Sequence, residues 1–280
     1  MKAEWNEIEK QYIGFFKTPQ LFKNQSISPY PNFELNEFPF PSEVQILQKE
    51  LKNLLYVGKR MEIFFKNGIK KHENYHLITH SLQLINKNKQ TLGEIDFLVQ
   101  DVVDQSVFQV ELVVKFYIFD PSYSTNPLKC FMGPKRKDFL YKKLEKLHTH
   151  QFPILFSEIG KNNLEKLKLT PKSLQQKICF KAQVYLPYAI QVNLPDYINP
   201  SAVAGYWLPF SSFNQLSTTS NYLIPNKQNW MVKPELSDAS SMDFYSCKKA
   251  IEKALNDGHA PMLWEKTQEG KMNSYFIIAD

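Results

Sequence analysis

Alternation of apolar and polar positions is clearest between residues 75 and 119. Three runs, at about 75–85, 91–100 and 106–119, are rich in β-branched and aromatic side chains, and the polar turns Asn86 to Gln90 and Asp101 to Gln105 separate them. They predict an antiparallel meander. In the third run the even positions Phe108, Val110, Leu112, Val114 and Phe116 make a wholly apolar face. The odd positions Val107, Gln109, Glu111, Val113, Lys115 and Tyr117 make a mixed one. Helical spacing brackets the meander. Ser42-Glu-Val-Gln45 opens an apolar series through Leu51, Leu54, Leu55, Met61, Ile63, Phe64 and Phe65 to about Lys70, with Gly58 as the expected break. Gly133-Pro-Lys-Arg136 reads as the start of a helix to about His148, with Phe139, Leu140, Leu144 and Leu147 inside and Lys135, Lys137, Lys142, Lys143 and Lys146 outside.

The flanks are less regular. Residues 4–16 predict a short helix, and Thr18 to Pro41, with five prolines and many aromatics, an extended arm. A strand at about 178–187 is expected to join the αβββα block. Beyond Pro187 the clear elements are a helix at 242–257 and strands near 261–266 and 273–279. The expected class is α/β, organised as an arm (1–41), a core (42–190) and a C-terminal lobe or elaboration of the core (191–280).

Composition narrows the function classes. Lys and Arg outnumber Asp and Glu by 34 to 28, a formal charge of +6 that weakly favours a polyanionic partner. Three widely spaced cysteines, Cys130, Cys179 and Cys247, suit neither a disulfide framework nor a cysteine-rich zinc site. The first ten residues are polar where a signal peptide needs an apolar core, and no apolar run approaches the ~20 residues of a membrane span. A cytoplasmic protein without a membrane segment is expected.

The candidate chemistry lies on the second and third strands. Asp96 and Glu111 are placed to stand on neighbouring strands, where two carboxylates can hold a hard divalent cation through oxygen. Glu94 shares the face of Asp96 and is the alternative second acid. The same acids also suit a plain ion network with a basic partner such as Lys115. His72, His76 and His80 would share one face of a helix, but the local pattern is a strand, on which they stand roughly 13 Å apart in turn, too far to share one zinc. His148 and His150 are read as helix-end or loop residues. Tyr206, Trp207 and Phe210 suit base stacking and core packing equally.

Leu92-Gly-Glu-Ile-Asp-Phe-Leu98, Val110-Glu-Leu-Val-Val-Lys-Phe-Tyr117, Gly133-Pro134 and Leu147-His-Thr-His-Gln151 resemble the bacterial family called domain of unknown function 1853, with echoes as far as Ala260-Pro-Met-Leu263. That family looks like a branch of the PD-(D/E)XK phosphodiesterase superfamily. The resemblance implies a restriction-endonuclease-like αβββαβ core, with a mixed sheet flanked by helices. It further implies a helix acid, a strand Asp and a Glu-x-Lys pair, roles for which Glu62, Asp96, Glu111 and Lys115 stand in order. Val113 occupies the position where the superfamily has its lysine, and Lys115 lies two residues further on. The implied activity is phosphodiester hydrolysis in nucleic acid with Mg²⁺ or Mn²⁺ held by Asp96, Glu111 and Glu62. Lys115 would serve catalysis, and Lys135, Lys142, Lys143 and Lys146 would meet the phosphate backbone. A fold that has lost catalysis and kept binding is the alternative.

Overall fold

The computed structural model describes residues 6–23, 29–35, 44–52, 54–235 and 241–280. It is a mixed α/β protein whose chain divides into two compact units. One comprises Met1–Tyr12, Gln20–Val114 and Lys142–Lys181, the other Ile13–Pro19, Lys115–Tyr141 and Ala182–Asp280.

The first helix, α1 (Glu7–Lys17), has its residues up to Tyr12 in the first unit, which also holds α2 (Val44–Leu51) and α3 (Val57–Lys71). The break between α2 and α3 falls before Gly58, which lies in the first turn of α3 with open space around it. Buried Arg60 explains the break. Its guanidinium donates to the carbonyls of Leu51 and Leu54 at 3.2 Å each and to Gln11 Oε1 at 2.6 Å, satisfying carbonyls that the end of α2 leaves over. The meander follows as β1 (Tyr75–Ile85), β2 (Thr91–Asp101) and β3 (Val107–Phe119), antiparallel as expected, with β5 (Leu174–Pro187) beyond β3. Helices cover it. Phe65 of α3 meets Phe97 edge to face, and Leu164 of α5 (Glu158–Lys166) packs with Leu84, Ile95 and Leu98. The described part of the arm runs beside β5: Leu21 donates to the Phe180 carbonyl and Phe33 to that of Ile178.

Two expectations need correction. Residues 133–139 are not helical. The Gly133 amide donates to the Asp138 carbonyl and Arg136 takes a left-handed φ of 55°, so the segment is a tight turn. The helix α4 is only Leu140–Lys146, and it widens into a π-type turn at Leu147–Gln151. Lys135 and Lys137 therefore lie in the turn. On β3, the mixed face is the more deeply covered one: Gln109 and Glu111 are wholly buried, whereas Leu112, Val114 and Phe116 are half-buried.

In the second unit β4 (Phe131–Met132) pairs with the end of β3. β5 is parallel to β6 (Val203–Pro209), β6 is parallel to β9 (Met272–Ile278), and β9, β8 (Met262–Lys266) and β7 (Asn221–Leu223) are antiparallel in turn. The helix α6 (Phe244–Asn256) starts at Asp243, whose side chain accepts from the Ser246 amide, and buries Phe244, Cys247 and Ile251. No helix among the described residues is long and apolar enough to cross a membrane.

Gly205 sets the approach of β6 to β9: a Cβ there would fall 2.0 Å from the Ser274 carbonyl oxygen. Gly205→Ala is expected to destabilise the protein by about 1–3 kcal/mol, as overpacking against backbone does. Denaturant unfolding checks this, and an unchanged midpoint would contradict the packing.

Candidate metal centre

Two departures from regular pairing coincide at Asp96. The β2–β3 ladder runs from Gln100↔Val107 to Phe97↔Val110, and one further step in the same register sets Asp96 opposite Glu111. There the pairing changes character, for the Leu112 amide donates to Asp96 Oδ2 at 3.0 Å. On the other side, Ser81 lies between the pairs His80↔Phe97 and Leu82↔Ile95, which is the register position of Asp96, and it takes a left-handed φ of 49°. A non-glycine residue in that conformation inside a strand is strained, and such strain gathers at functional sites.

Glu111 is held by amides on both oxygens. Gln109 Nε2 donates to Oε1 at 3.1 Å and Gln151 Nε2 to Oε2 at 2.6 Å. Gln151 is fixed in turn, since its Oε1 accepts from Lys143 Nζ at 2.7 Å and its carbonyl from Gln109. Gln176 completes the row by donating to Gln109 Oε1 at 2.6 Å. The π-type turn at the end of α4 is what delivers Gln151 and Lys143 together.

Electrostatics follow from this burial. Desolvation and then the charge of Asp96 push the Glu111 carboxyl from 4.5 up to about 8, against the opposing pull of the Gln109 hydrogen bond and Lys143. Asp96 is also raised, by burial first and by Glu94 as well, while the Leu112 amide and Lys143 pull it down. Glu62 on α3 is raised by burial, held down by Lys59, and feels both Asp96 and Glu94. Lys59 bridges Glu62 at 2.7 Å and Glu94 at 3.5 Å, so Glu62 pairs within its own helix with Lys59, while Lys66 goes to Glu50. Among the described residues no three His, Cys, Asp or Glu side chains converge closely enough to hold one ion. Asp96 and Glu111 form a pair, with Glu62 and Glu94 acting on it through charge.

The remaining sequence candidates fall elsewhere. The Lys115 ammonium pairs with Asp138. Lys142 and Lys146 are exposed on α4 and Lys135 is exposed in the preceding turn. His72 ends α3 while His76 and His80 lie on β1, so no helical face carries all three. His150 contacts Thr149 Oγ1 through Nδ1, and His148 lies beside the Tyr30 ring. Trp207 is largely buried and donates to the Phe119 carbonyl. Sequence reading assigned no role to Gln109 or Gln151, and saw Lys143 only as part of a basic face. The one signal was Gln151 closing the Leu147-His-Thr-His-Gln151 motif.

A family model described as a domain of unknown function (DUF1853) matches residues 39–276. Neither a curated protein nor a solved structure matches the chain.

The raised Glu111 predicts a pH signature. A buried carboxyl whose folded pKa exceeds its unfolded one favours the protonated fold. Metal-free stability is thus undiminished below about 4.5, falls as pH rises towards about 8, and is level above. The expected loss is on the order of 3–5 kcal/mol, and Glu111→Gln should flatten it. Urea midpoints between pH 4 and 9 in a chelator check this; identical slopes in both proteins would contradict it.

Proposed function

Since the chain belongs to the DUF1853 family, whose description states no activity, we propose from its own chemistry that it is a metal-dependent phosphodiesterase acting on nucleic acid. Asp96 and Glu111 would hold Mg²⁺ or Mn²⁺, with Glu62, paired to Lys59, contributing charge alone. The observation that carries the reading is the carboxylate pair itself, Glu111 wholly buried and Asp96 half-buried. Two acids facing each other across β2 and β3, one pushed up to about 8, call for a proton or a cation between them. The donor set fits a hard ion, because both acids offer oxygen and the amides of Gln109 and Gln151 fix the Glu111 carboxylate in one orientation. The succession α3, β1, β2, β3, α4, β5, with the short β4 before α4 and α5 after it, also supports a restriction-endonuclease-like core.

A bound Mg²⁺ or Mn²⁺ would supply a polarised water and charge neutralisation at phosphate. The chain's own part is to orient and to balance charge. Gln151 links Glu111 to Lys143, so a cation from α4 is tied to the acids. We assign to Lys143 the role that the motif order gives to Lys115. Its ammonium lowers both acids and is tethered beside them, where it can stabilise charge growing on a phosphoryl oxygen. Exposed Lys142 and Lys146 on the same helix suit the flanking backbone. The second reading, a binding protein that has lost catalysis, draws its support from the Lys115–Asp138 pair, which occupies the motif lysine.

Calorimetric titration with Mg²⁺ and Mn²⁺ should show one site, lost in Asp96→Ala and in Glu111→Ala. With a mixed panel of DNA and RNA, Lys143→Ala is expected to lower metal-dependent cleavage at least 100-fold while metal still binds, and Lys115→Ala to change it little. Metal binding without cleavage by the unaltered protein would favour the binding reading. Metal binding that survives both acid substitutions would overturn the site.

A further inference from the structure

The second unit holds a cleft of about 680 Å³ that the carboxylate pair does not use. Its floor is the β6-β9-β8 portion of the sheet, where Tyr206 pairs with Tyr275 and Asn273 with Glu265 across neighbouring strands. Glu265 is the unusual residue, at only 5% exposure. Oε2 accepts from the Tyr275 hydroxyl at 2.7 Å and from Asn273 Nδ2 at 3.0 Å, while Oε1 has the long contact of 3.4 Å with the Tyr222 hydroxyl. That hydroxyl also donates to the Ser217 carbonyl at 2.5 Å, so its proton is already committed. Among the described residues no Lys or Arg forms an ion pair with Glu265. One oxygen of a buried carboxylate is thus left with capacity to accept.

Around it stand three tyrosines. Tyr188 lies 6.0 Å from Tyr206 and 5.8 Å from Tyr275 between ring centroids, and Tyr206, 43% exposed, lines the cleft. Ala189, beside Tyr188 in the cleft wall, takes a left-handed φ of 58° in the turn that follows β5. Lys271 also lines the cleft.

We propose that this cleft binds a nucleotide through a base that carries an exocyclic amino group. An exposed aromatic ring gives a base a stacking surface. The Glu265 Oε1 atom accepts one N–H from the amino group, as carboxylates do for the amino group of cytosine. Oε2 is filled by two donors, so recognition is through a single hydrogen bond, and a base with a carbonyl at that position meets an acceptor and is rejected. Lys271 meets the phosphate. The volume lies within the range of small-ligand sites.

Titration of the full chain with CMP and UMP, which differ in an amino group against a carbonyl, tests this. Done in a chelator, it reads binding independently of the carboxylate pair, so either proposal can fail alone. CMP should bind at least tenfold more tightly than UMP. Tyr206→Ala, a change at an exposed ring, should weaken CMP at least tenfold. Lys271→Ala should weaken CMP but not cytidine, and Glu265→Gln, whose amide can donate, should erase or invert the CMP preference. A short oligo-dC binding more tightly than CMP would support the site and mark single strands as its source of nucleotide; the reverse would support it and mark free nucleotides. Equal binding of CMP and UMP, an unaffected Tyr206→Ala variant, or binding of tetramethylammonium in place of CMP would overturn it.

Discussion

A wholly buried Glu111 with a half-buried Asp96 at the facing register position is the constraint around which the first unit is arranged. Asp96 and Glu111 meet where the regular β2–β3 ladder stops, and each is raised by burial. Charge of one sign out of water is costly unless something answers it. The surroundings answer it in part. The Leu112 amide turns to Asp96, Gln109 and Gln151 turn to Glu111, and Lys143 stands behind Gln151. The left-handed Ser81 and the π-type turn that ends α4 are departures from regular structure at this same place.

Much of this was legible in the sequence. The three strands and their turns stood out because polar turns separate runs rich in β-branched and aromatic side chains, and α6 because its apolar positions recur at helical spacing. Placing Asp96 against Glu111 needed only strand length and turn length. The lysine was harder. Motif order pointed along β3 to Lys115, whereas the ammonium beside the acids comes from a helix that a turn of unexpected conformation delays to Leu140. Gly133-Pro134 looks like a helix start, but the hydrogen bond from the Gly133 amide to Asp138 closes a turn, and no local pattern announces it.

Gln109 and Gln151 escaped notice because a glutamine carries no charge to mark it; their meaning is in their partners, forty-two residues apart in sequence. The strands β6 and β7 and the helix α5 were missed for another reason. Each is short or weakly patterned, and α5 buries only Gly160 and Leu164. Glu265 likewise gave no signal of its own, since a strand glutamate is usually solvated, and only the hydroxyls of Tyr275 and Tyr222 reveal it as buried and held.

The central claim is that Asp96 and Glu111 share one cation. Anomalous diffraction from crystals soaked in Mn²⁺ tests it most directly, because manganese scatters where no atom of the chain does. The account predicts a peak between the two carboxylates, within about 2.3 Å of an oxygen of each. A peak elsewhere with none between them, at a manganese concentration that saturates binding in solution, would contradict it.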